Sequence, residues 1–273
     1  MGIENVIKKI HVEPINRKAE YEAARFLTRE EVTAAMDRVA DQVRCNMEYF
    51  GTRFPSSATR NQAYGIIDNI EWTDGFWTGL LWLCHEYTGE DAFKELALKN
   101  VGSFLNRVEK RIELDHHDLG FLYSLSCVAG YKLTGSEEGR KAGLLAADKL
   151  MERFQEKGGF IQAWGELGAR DNYRYVKDDS AFILFKGMTN YFLNRLPEDE
   201  VCYWDLIFTD GSEQPRDSSA AAIGVCGIHE MLKYLPEVEP DKDTYRHAMH
   251  CILRSLMERY TAPVSYTHLT LPT

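Results

Sequence analysis

The chain has 273 residues, of which 44% are hydrophobic and 27% are charged, and its formal net charge is −10. This length and apolar content exclude a mainly disordered chain and allow a sizeable core. The acidic balance argues against a nucleic-acid partner, since general nucleic-acid binders carry a basic excess. The apolar runs are too short to span a membrane, so we expect no membrane partner.

The cysteine pattern and the N-terminus bear on the compartment. The six cysteines are scattered, without a CxxC pair or tight spacing. That pattern predicts reduced, buried cysteines rather than a disulfide framework. Residues 1–13 alternate charged and apolar side chains and lack the apolar core of a signal peptide. We therefore expect a soluble cytoplasmic protein, and the sequence leaves its oligomeric state open.

Helical periodicity dominates the chain. Residues 30–50 place apolar side chains three or four positions apart, which predicts an amphipathic helix. Residues 78–87 and 121–131 are apolar over most of their circumference, which predicts helices buried on several sides. Strand signals are limited to residues 159–162 and 201–204.

An internal repeat joins the two most apolar helices to the helices that follow them. Both copies read Gly-Phe, an apolar helix, Tyr, Thr-Gly and an amphipathic helix, and a weaker third copy begins at Asp217. The Thr-Gly pairs predict helix ends at Gly89 and Gly135, because glycine adopts the left-handed conformation at low cost. Stacked helical hairpins of this kind predict an all-α fold. Closed into a ring they form an α/α toroid, with the loops before the inner helices at one mouth.

Residues 1–263 are expected to form a single toroid domain. Residues 264–273 read VSYTHLTLPT, lack charged side chains and break the pattern after Pro263. We interpret this segment as a non-native tail and leave it out of the fold argument.

The motif LDHHDLGF places two carboxylates and two imidazoles just before an apolar helix. One interpretation is that Asp118 or Asp115 caps the helix N-terminus. Another is a metal pair of His116 and His117, but adjacent positions do not share a helix face and no HxxxH follows. We expect no metal and no cofactor, and we keep Asp118 as a candidate catalytic carboxylate.

Tryptophans flank the first apolar helix. Core packing is the expected role of Trp82. Trp72 precedes the helix and would face the mouth of a toroid, where an exposed indole can stack on a sugar ring. Trp164, in the segment FIQAWGE, has the same loop setting.

Two polar segments are less specific. RDNYRYVKDDS, residues 170–180, is either a solvated charged loop or a source of positive charge for a carboxylated substrate, with Arg174 as one candidate. Asp217 or Ser218 is expected to cap a helix. The chain has no Gly-x-Ser-x-Gly elbow, so a Ser/His/Asp triad is not supported.

Taken together, the motifs resemble glycoside hydrolase family 88, the unsaturated glucuronyl hydrolases. The resemblance rests on NIEWTDGFWTGLLWL, LDHHDLGFLYSLSC, GFIQAWGE, ARDNYRY, VCYWDLIFTDGS and PRDSSAAAI, and it covers nearly all of the chain before Pro263. It implies an (α/α)6 toroid and a hydrolase that removes a 4,5-unsaturated uronic acid from the non-reducing end of lyase-generated oligosaccharides, usually glycosaminoglycan fragments. The implied chemistry is hydration of the C4=C5 vinyl ether, with one carboxyl acting as acid and then base.

The resemblance also implies site residues. Asp118 matches the family aspartate that holds the sugar hydroxyls and polarises a second carboxyl, and His117 matches a substrate contact. Trp72 and Trp164 resemble the stacking residues. Arg174 is not part of this match; like Arg170 and Lys177, it is a candidate cation for a carboxylated substrate from the charge of its segment alone. By spacing, the second aspartate, the general acid and base, falls on Asp178.

The surroundings of Asp178 depart from the family pattern, which has Ile-Ile-Asp opening an apolar helix. An internal deletion joined at Tyr173-Arg174-Tyr175 explains this departure and predicts an incomplete toroid with exposed apolar surface that promotes association. Three other interpretations stay open: an inactive family member that binds oligosaccharide weakly, an unsaturated rhamnogalacturonyl hydrolase, and a plain helical scaffold.

Overall fold

The computed structural model describes four stretches of the chain, residues 11–60, 63–155, 160–162 and 180–261. The described residues form two compact units, each with its own hydrophobic core. Those between residues 36 and 175 form one unit, and those of 1–35 and 176–263 form the other.

The described elements are mostly helices. In chain order they are α1 (Lys18–Ala23), α2 (Arg29–Phe50), β1 (Phe54–Arg60), β2 (Ala63–Ile67), α3 (Asp74–Thr88), α4 (Asp91–Glu109), α5 (Leu119–Tyr123), a π-helical turn (Ser124–Val128), α6 (Ala129–Thr134), α7 (Glu137–Met151), β3 (Phe154–Gln155), β4 (Phe160–Ile161), α8 (Ser180–Leu193), α9 (Ser218–Leu232) and α10 (Lys242–Arg259). Within the stretches that the structure describes, every helix is too short or too polar to cross a membrane.

The helix ends predicted from the repeat are confirmed. Gly89 follows α3 with a φ of 75°, and Gly135 follows α6 with a φ of 74°. This left-handed conformation favours glycine because a Cβ would be strained there. Asp217 caps α9 by accepting a hydrogen bond from the Ala220 N–H at 2.8 Å, as expected for a cap.

The second inner helix is interrupted where the sequence predicts one continuous helix. The π-helical turn separates α5 from α6, and two side chains donate to backbone carbonyls in and before it. The Ser126 hydroxyl donates to the Leu122 carbonyl, and the Trp82 indole N–H donates to the Ser126 carbonyl at 2.8 Å. These bonds compete with the regular helical ladder. Trp82 is buried, which confirms its core role.

The short strands agree only in part with the sequence expectations. The β1–β2 hairpin was not predicted, because its polar residues alternate weakly; only Phe54 packs deeply, 5.6 Å from the Phe104 ring centroid. Strand β4 confirms the signal at 159–162. The strand expected at 201–204 is wrong, since Tyr203 forms only an isolated bridge with Arg216.

Helices α3 and α5 approach each other closely at their N-termini. A Cβ on Gly75 would lie 2.6 Å from the Leu122 Cα, a separation that real Cβ atoms do not adopt. Glycine at this position therefore permits the contact. The approach brings the loop before α3 beside the loop before α5, and these loops carry the candidate site.

The cysteine expectation is correct for bonding and partly wrong for burial. All six cysteines are free, and Cys84, Cys127 and Cys202 are buried. Cys226 is exposed, because it lies on a face of α9 that the described residues leave uncovered.

Candidate active site

Asp118 occupies the N-cap position of α5 without capping it. Its side chain accepts no hydrogen bond from the first turn of the helix. Instead its two carboxylate oxygens face two imidazoles: Oδ2 lies 3.4 Å from His116 Nδ1, and Oδ1 lies 3.5 Å from His117 Nε2. The Asp118 side chain is only 14% exposed, and it faces these imidazoles rather than the N–H groups of the first helical turn.

The two plainer interpretations of this motif lose support. Asp115 is a surface carboxylate, 88% exposed, that pairs with Lys149 at 2.9 Å, so capping is wrong for Asp115 as well as for Asp118. The Lys149 ammonium holds the pKa of the Asp115 carboxyl below its usual range. Among the residues the structure describes, no group of three or more His, Cys, Asp or Glu side chains could hold a metal ion.

A row of exposed aromatic rings runs beside this motif. Trp72 is 48% exposed and meets Phe76 edge to face, with ring centroids 6.4 Å apart. Phe76 stacks on Phe121 at 5.7 Å and 29° between ring planes. Phe121 follows Asp118 by less than one helical turn. The row offers flat apolar faces next to a carboxylate, which is the combination that sugar rings fit.

Sequence reasoning missed Phe76 and Phe121, although the signal was present. Both belong to the Gly-Phe pair that opens each repeat, and the repeat was expected to bury them in the inner helices. The structure instead exposes both rings. Because they are equivalent positions of adjacent repeats, they project side by side and stack.

Arg107, near the end of α4, connects the loop of Trp72 with the loop of Asp118. Its side chain is 1% exposed. On the first loop it donates to the Asn69 side chain at 2.8 Å and to the backbone carbonyls of Ile70 and Glu71. On the second loop it donates to the carbonyls of Ile112 at 3.2 Å and Glu113 at 3.0 Å.

The far part of the Asp118 loop has a second arginine. Arg153 is buried and donates to the Asp115 carbonyl at 3.1 Å and to the Gln162 carbonyl at 2.9 Å. Two buried guanidinium groups therefore satisfy the carbonyls of this loop, which would otherwise be costly to bury.

The buried partner of Arg107 is Asp74, the first residue of α3. Asp74 Oδ2 accepts from the Glu71 N–H at 2.9 Å and lies 3.4 Å from the Arg107 guanidinium. Its Oδ1 accepts no hydrogen bond from the described residues. Burial raises the pKa of Asp74 to about 7, against the opposing effects of that N–H and of Arg107.

The predicted site residues divide into two groups. Trp72, His117 and Asp118 lie on the two loops that Arg107 joins. Trp164, Arg174 and Asp178 lie outside the described residues.

Comparison with known proteins places this site in a family. No family model matches the sequence. An unsaturated chondroitin disaccharide hydrolase of Streptococcus pneumoniae is 46% identical over 345 residues, which covers 93% of this chain and 87% of that protein. A solved unsaturated glucuronyl hydrolase of Streptococcus agalactiae superimposes with a TM-score of 0.88 at 44% identity, covering 93% of this chain and 87% of that one. The chain belongs to the unsaturated glucuronyl hydrolase family.

A more distant relative supports the same family assignment. An unsaturated glucuronyl hydrolase of a Bacillus species is 31% identical over 306 residues, covering 79% of this chain and 81% of that protein. As an unsaturated glucuronyl hydrolase family member, the chain is a glycoside hydrolase by descent. The all-α class and the α/α toroid family expected from the repeat are confirmed by these matches.

Proposed function

We propose that this chain removes a 4,5-unsaturated uronic acid from the non-reducing end of lyase-generated glycosaminoglycan oligosaccharides. One observation carries the proposal: the Asp118 carboxylate makes no capping hydrogen bond, lies between two imidazoles and is next to an exposed row of aromatic rings. The S. pneumoniae relative is named for unsaturated chondroitin disaccharides, and one solved S. agalactiae structure holds dGlcA-GalNAc6S. An unsaturated chondroitin-type disaccharide is therefore the first substrate to test.

The reaction is hydration of a vinyl ether. A carboxylic acid gives its proton to C4, positive charge develops at C5, and water adds at C5 after losing a proton to the same carboxylate. The hemiketal opens and the remaining sugar leaves. Asp118 accepts hydrogen bonds from the sugar hydroxyls in this scheme, His117 contacts the substrate, and Trp72 stacks on a ring.

Asp178 is our proposal for the acid and base. Two solved structures of the S. agalactiae enzyme each carry asparagine in place of one aspartate, and those two aspartates are 60 residues apart. Asp118 and Asp178 have the same separation. Trp164 as a second stacking surface and Arg174 as the uronate cation complete the proposed set.

An internal deletion is the main competitor to a working enzyme. The alignment with the S. pneumoniae relative extends over 345 residues, which is more than this chain contains, so that relative has segments without a counterpart here. The described residues of 36–162 belong to one compact unit, and those after 179 belong to the other together with residues 11–35, so the chain changes unit near the proposed junction. These observations favour keeping the inactive, weakly binding family member as the second candidate.

Three further proposals concern the compartment, the sugar class of the substrate and the cofactor. The free state of the six cysteines supports a reducing compartment, so we keep a cytoplasmic location. The names of the relatives favour a glucuronyl over a rhamnogalacturonyl substrate. We propose no cofactor, because the vinyl ether hydration needs only carboxylates and water.

The test follows the ultraviolet absorbance of the C4=C5 double bond in an unsaturated chondroitin disaccharide. We expect the chain to consume this signal, and Asp118→Asn and Asp178→Asn to lower kcat by about 10²–10⁴-fold, since each removes a carboxyl that acts in the transition state. The matched control is Asp115→Asn, because that carboxylate belongs to the same loop but points to solvent.

Each outcome decides between the two candidates. A folded chain that leaves the signal unchanged, yet whose tryptophan fluorescence responds to the disaccharide, would be the inactive binder. Full activity in Asp178→Asn would remove that residue from the acid role.

A further inference from the structure

The Asp118 loop contains a histidine with no role so far. His116 directs its Nε2 to the Glu113 carbonyl at 3.0 Å. Because a carbonyl oxygen only accepts, Nε2 must carry a proton. The other ring nitrogen, Nδ1, is buried and has no hydrogen bond within the described residues, and it lies 3.4 Å from Asp118 Oδ2.

The same carbonyl also accepts from Arg107. Glu113 has a left-handed backbone with a φ of 45°, which is unusual for a residue other than glycine. Arg107 Nη2 reaches its oxygen at 3.0 Å, so one carbonyl accepts from a guanidinium and from an imidazole. The linkage runs from the Trp72 loop through Arg107, Glu113 and His116 to Asp118.

We propose that His116 is a positioning residue for Asp118, and that Arg107 holds His116 in place through their shared bond to the Glu113 carbonyl. This inference rests on the proposed function. With an Nε2 proton committed to the carbonyl, the imidazole cannot swing away, and its Nδ1 edge, 3.4 Å from Oδ2, limits the space that the carboxylate can occupy. Arg107 at the same time sets the Trp72 loop, so stacking surface and carboxylate have one common anchor.

The two residues differ in what they should affect. His116 touches the Asp118 side of the linkage only, so His116→Ala is expected to lower kcat about 10- to 100-fold while KM stays nearly unchanged. Arg107→Lys keeps a charge near Asp74 but replaces three donor nitrogens by one, so it should lower kcat and raise KM. His85→Ala is the matched control, since His85 also contacts a backbone carbonyl, that of Glu90, but at the other end of α3.

A double-mutant cycle tests the linkage itself. If both residues act through the Glu113 carbonyl, the kcat of the His116→Ala, Arg107→Lys double variant should fall little below that of the worse single variant. Losses that multiply would overturn the linkage. Unchanged kcat in His116→Ala would overturn the positioning role.

A readout independent of turnover separates this inference from the proposed function. We would measure the ¹⁵N signals of the His116 ring in the wild type and in Asp118→Asn. The expected result is a protonated Nε2 and an Nδ1 signal that shifts when Asp118 is replaced. If the wild type is inactive, the proposed function fails while this measurement still decides the contact. A ring without a proton on Nε2, or an Nδ1 signal that ignores the substitution, would overturn the inference.

Discussion

Two regions of the molecule differ in how their surfaces are covered: one is polar and hydrogen-bonded, and the other is apolar and exposed. The loops around Arg107, in the unit between residues 36 and 175, have part-buried backbone carbonyls that accept hydrogen bonds from one buried guanidinium. The face of α8 and α9 in the other unit exposes apolar side chains instead, around a groove of about 660 Å³. Met188 and Ile223 on this face are each 71% exposed. Several directional hydrogen bonds fix the first region. In the second region, the described residues do not cover the apolar side chains.

The two regions differ in which part of the chain they need for their contacts. The two hydrogen-bonded loops and the helix that carries Arg107 all belong to one unit, so their bonds form within that unit. Inner helices of a toroid depend on the next hairpin to bury them. Exposed apolar groups on α8 and α9 are the surface expected where such a neighbour is absent, which fits the predicted internal deletion.

Removing the Arg107 hydrogen bonds should lower the free energy of unfolding more than any other change proposed here. Arg107→Leu leaves Asp74 and several loop carbonyls buried without their donor, and we expect a loss of about 3–5 kcal/mol in the free energy of unfolding. Urea denaturation measures it. Arg111→Gln is the control, because its ion pair with Glu152 is at the surface, where solvent screens the charges. Equal losses in the two variants would contradict the role of Arg107.

The close approach of α3 and α5 gives the next largest effect. Gly75→Ala places a methyl group 2.6 Å from the Leu122 Cα, and the backbone has to shift at a cost of about 3 kcal/mol. Gly227→Ala, on α9, meets no atom within 4 Å and should be neutral or stabilising by up to about 1 kcal/mol. Thermal unfolding of both variants compares the two units directly. A harmless Gly75→Ala would mean that the loops are not held by this contact.

The pH dependence of the free energy of unfolding tests whether burial or the Arg107 charge dominates at Asp74. Because burial raises the pKa of Asp74 to about 7, the folded chain holds a proton that the unfolded chain has released above the ordinary aspartate pKa. This stabilising contribution is complete below that ordinary value and is lost as pH rises through about 7.

Asp74→Asn removes this ionisation. The stability of the wild type relative to Asp74→Asn should therefore fall by on the order of 2 kcal/mol from pH 4 to pH 8. Parallel denaturation curves across this pH range measure the difference. A wild type that gains stability over Asp74→Asn as pH rises would show that the Arg107 charge dominates over burial.

The smallest effect on stability is expected in the groove. Replacing Met188 and Ile223 with glutamine should change the free energy of unfolding by no more than about 0.5 kcal/mol per site. The same changes should weaken concentration-dependent association in sedimentation experiments, because they remove exposed apolar area. Val238→Gln is the control, since Val238 is 87% exposed but lies outside the groove. Association that ignores Met188 and Ile223 would separate this face from self-assembly.

Much of the fold followed from local signals. The Thr-Gly pairs predicted the ends of α3 and α6, because left-handed glycine is a local property of the backbone. The repeat predicted helical hairpins and the family motifs predicted the toroid, and both were confirmed. The motif LDHHDLGF identified Asp118, although its exact surroundings were open between a cap, a metal pair and a catalytic carboxylate.

Other features had no local signal. Arg107 resembles any cation on an amphipathic helix, and only its burial against two loops distinguishes it. The π-helical turn accepts a hydrogen bond from Trp82, which is 44 residues away in sequence from the carbonyl it binds.

The sequence by itself thus determined the helical class, the two helix ends at Gly89 and Gly135, the family and the identity of the candidate carboxylate. The tertiary structure decided what surrounds that carboxylate: which nitrogens face Asp118, which rings line up beside it, and which arginine joins the two loops. The physical reason is that helix formation and termination depend on near neighbours, whereas burial and hydrogen-bond partners depend on groups that meet only after the chain has folded.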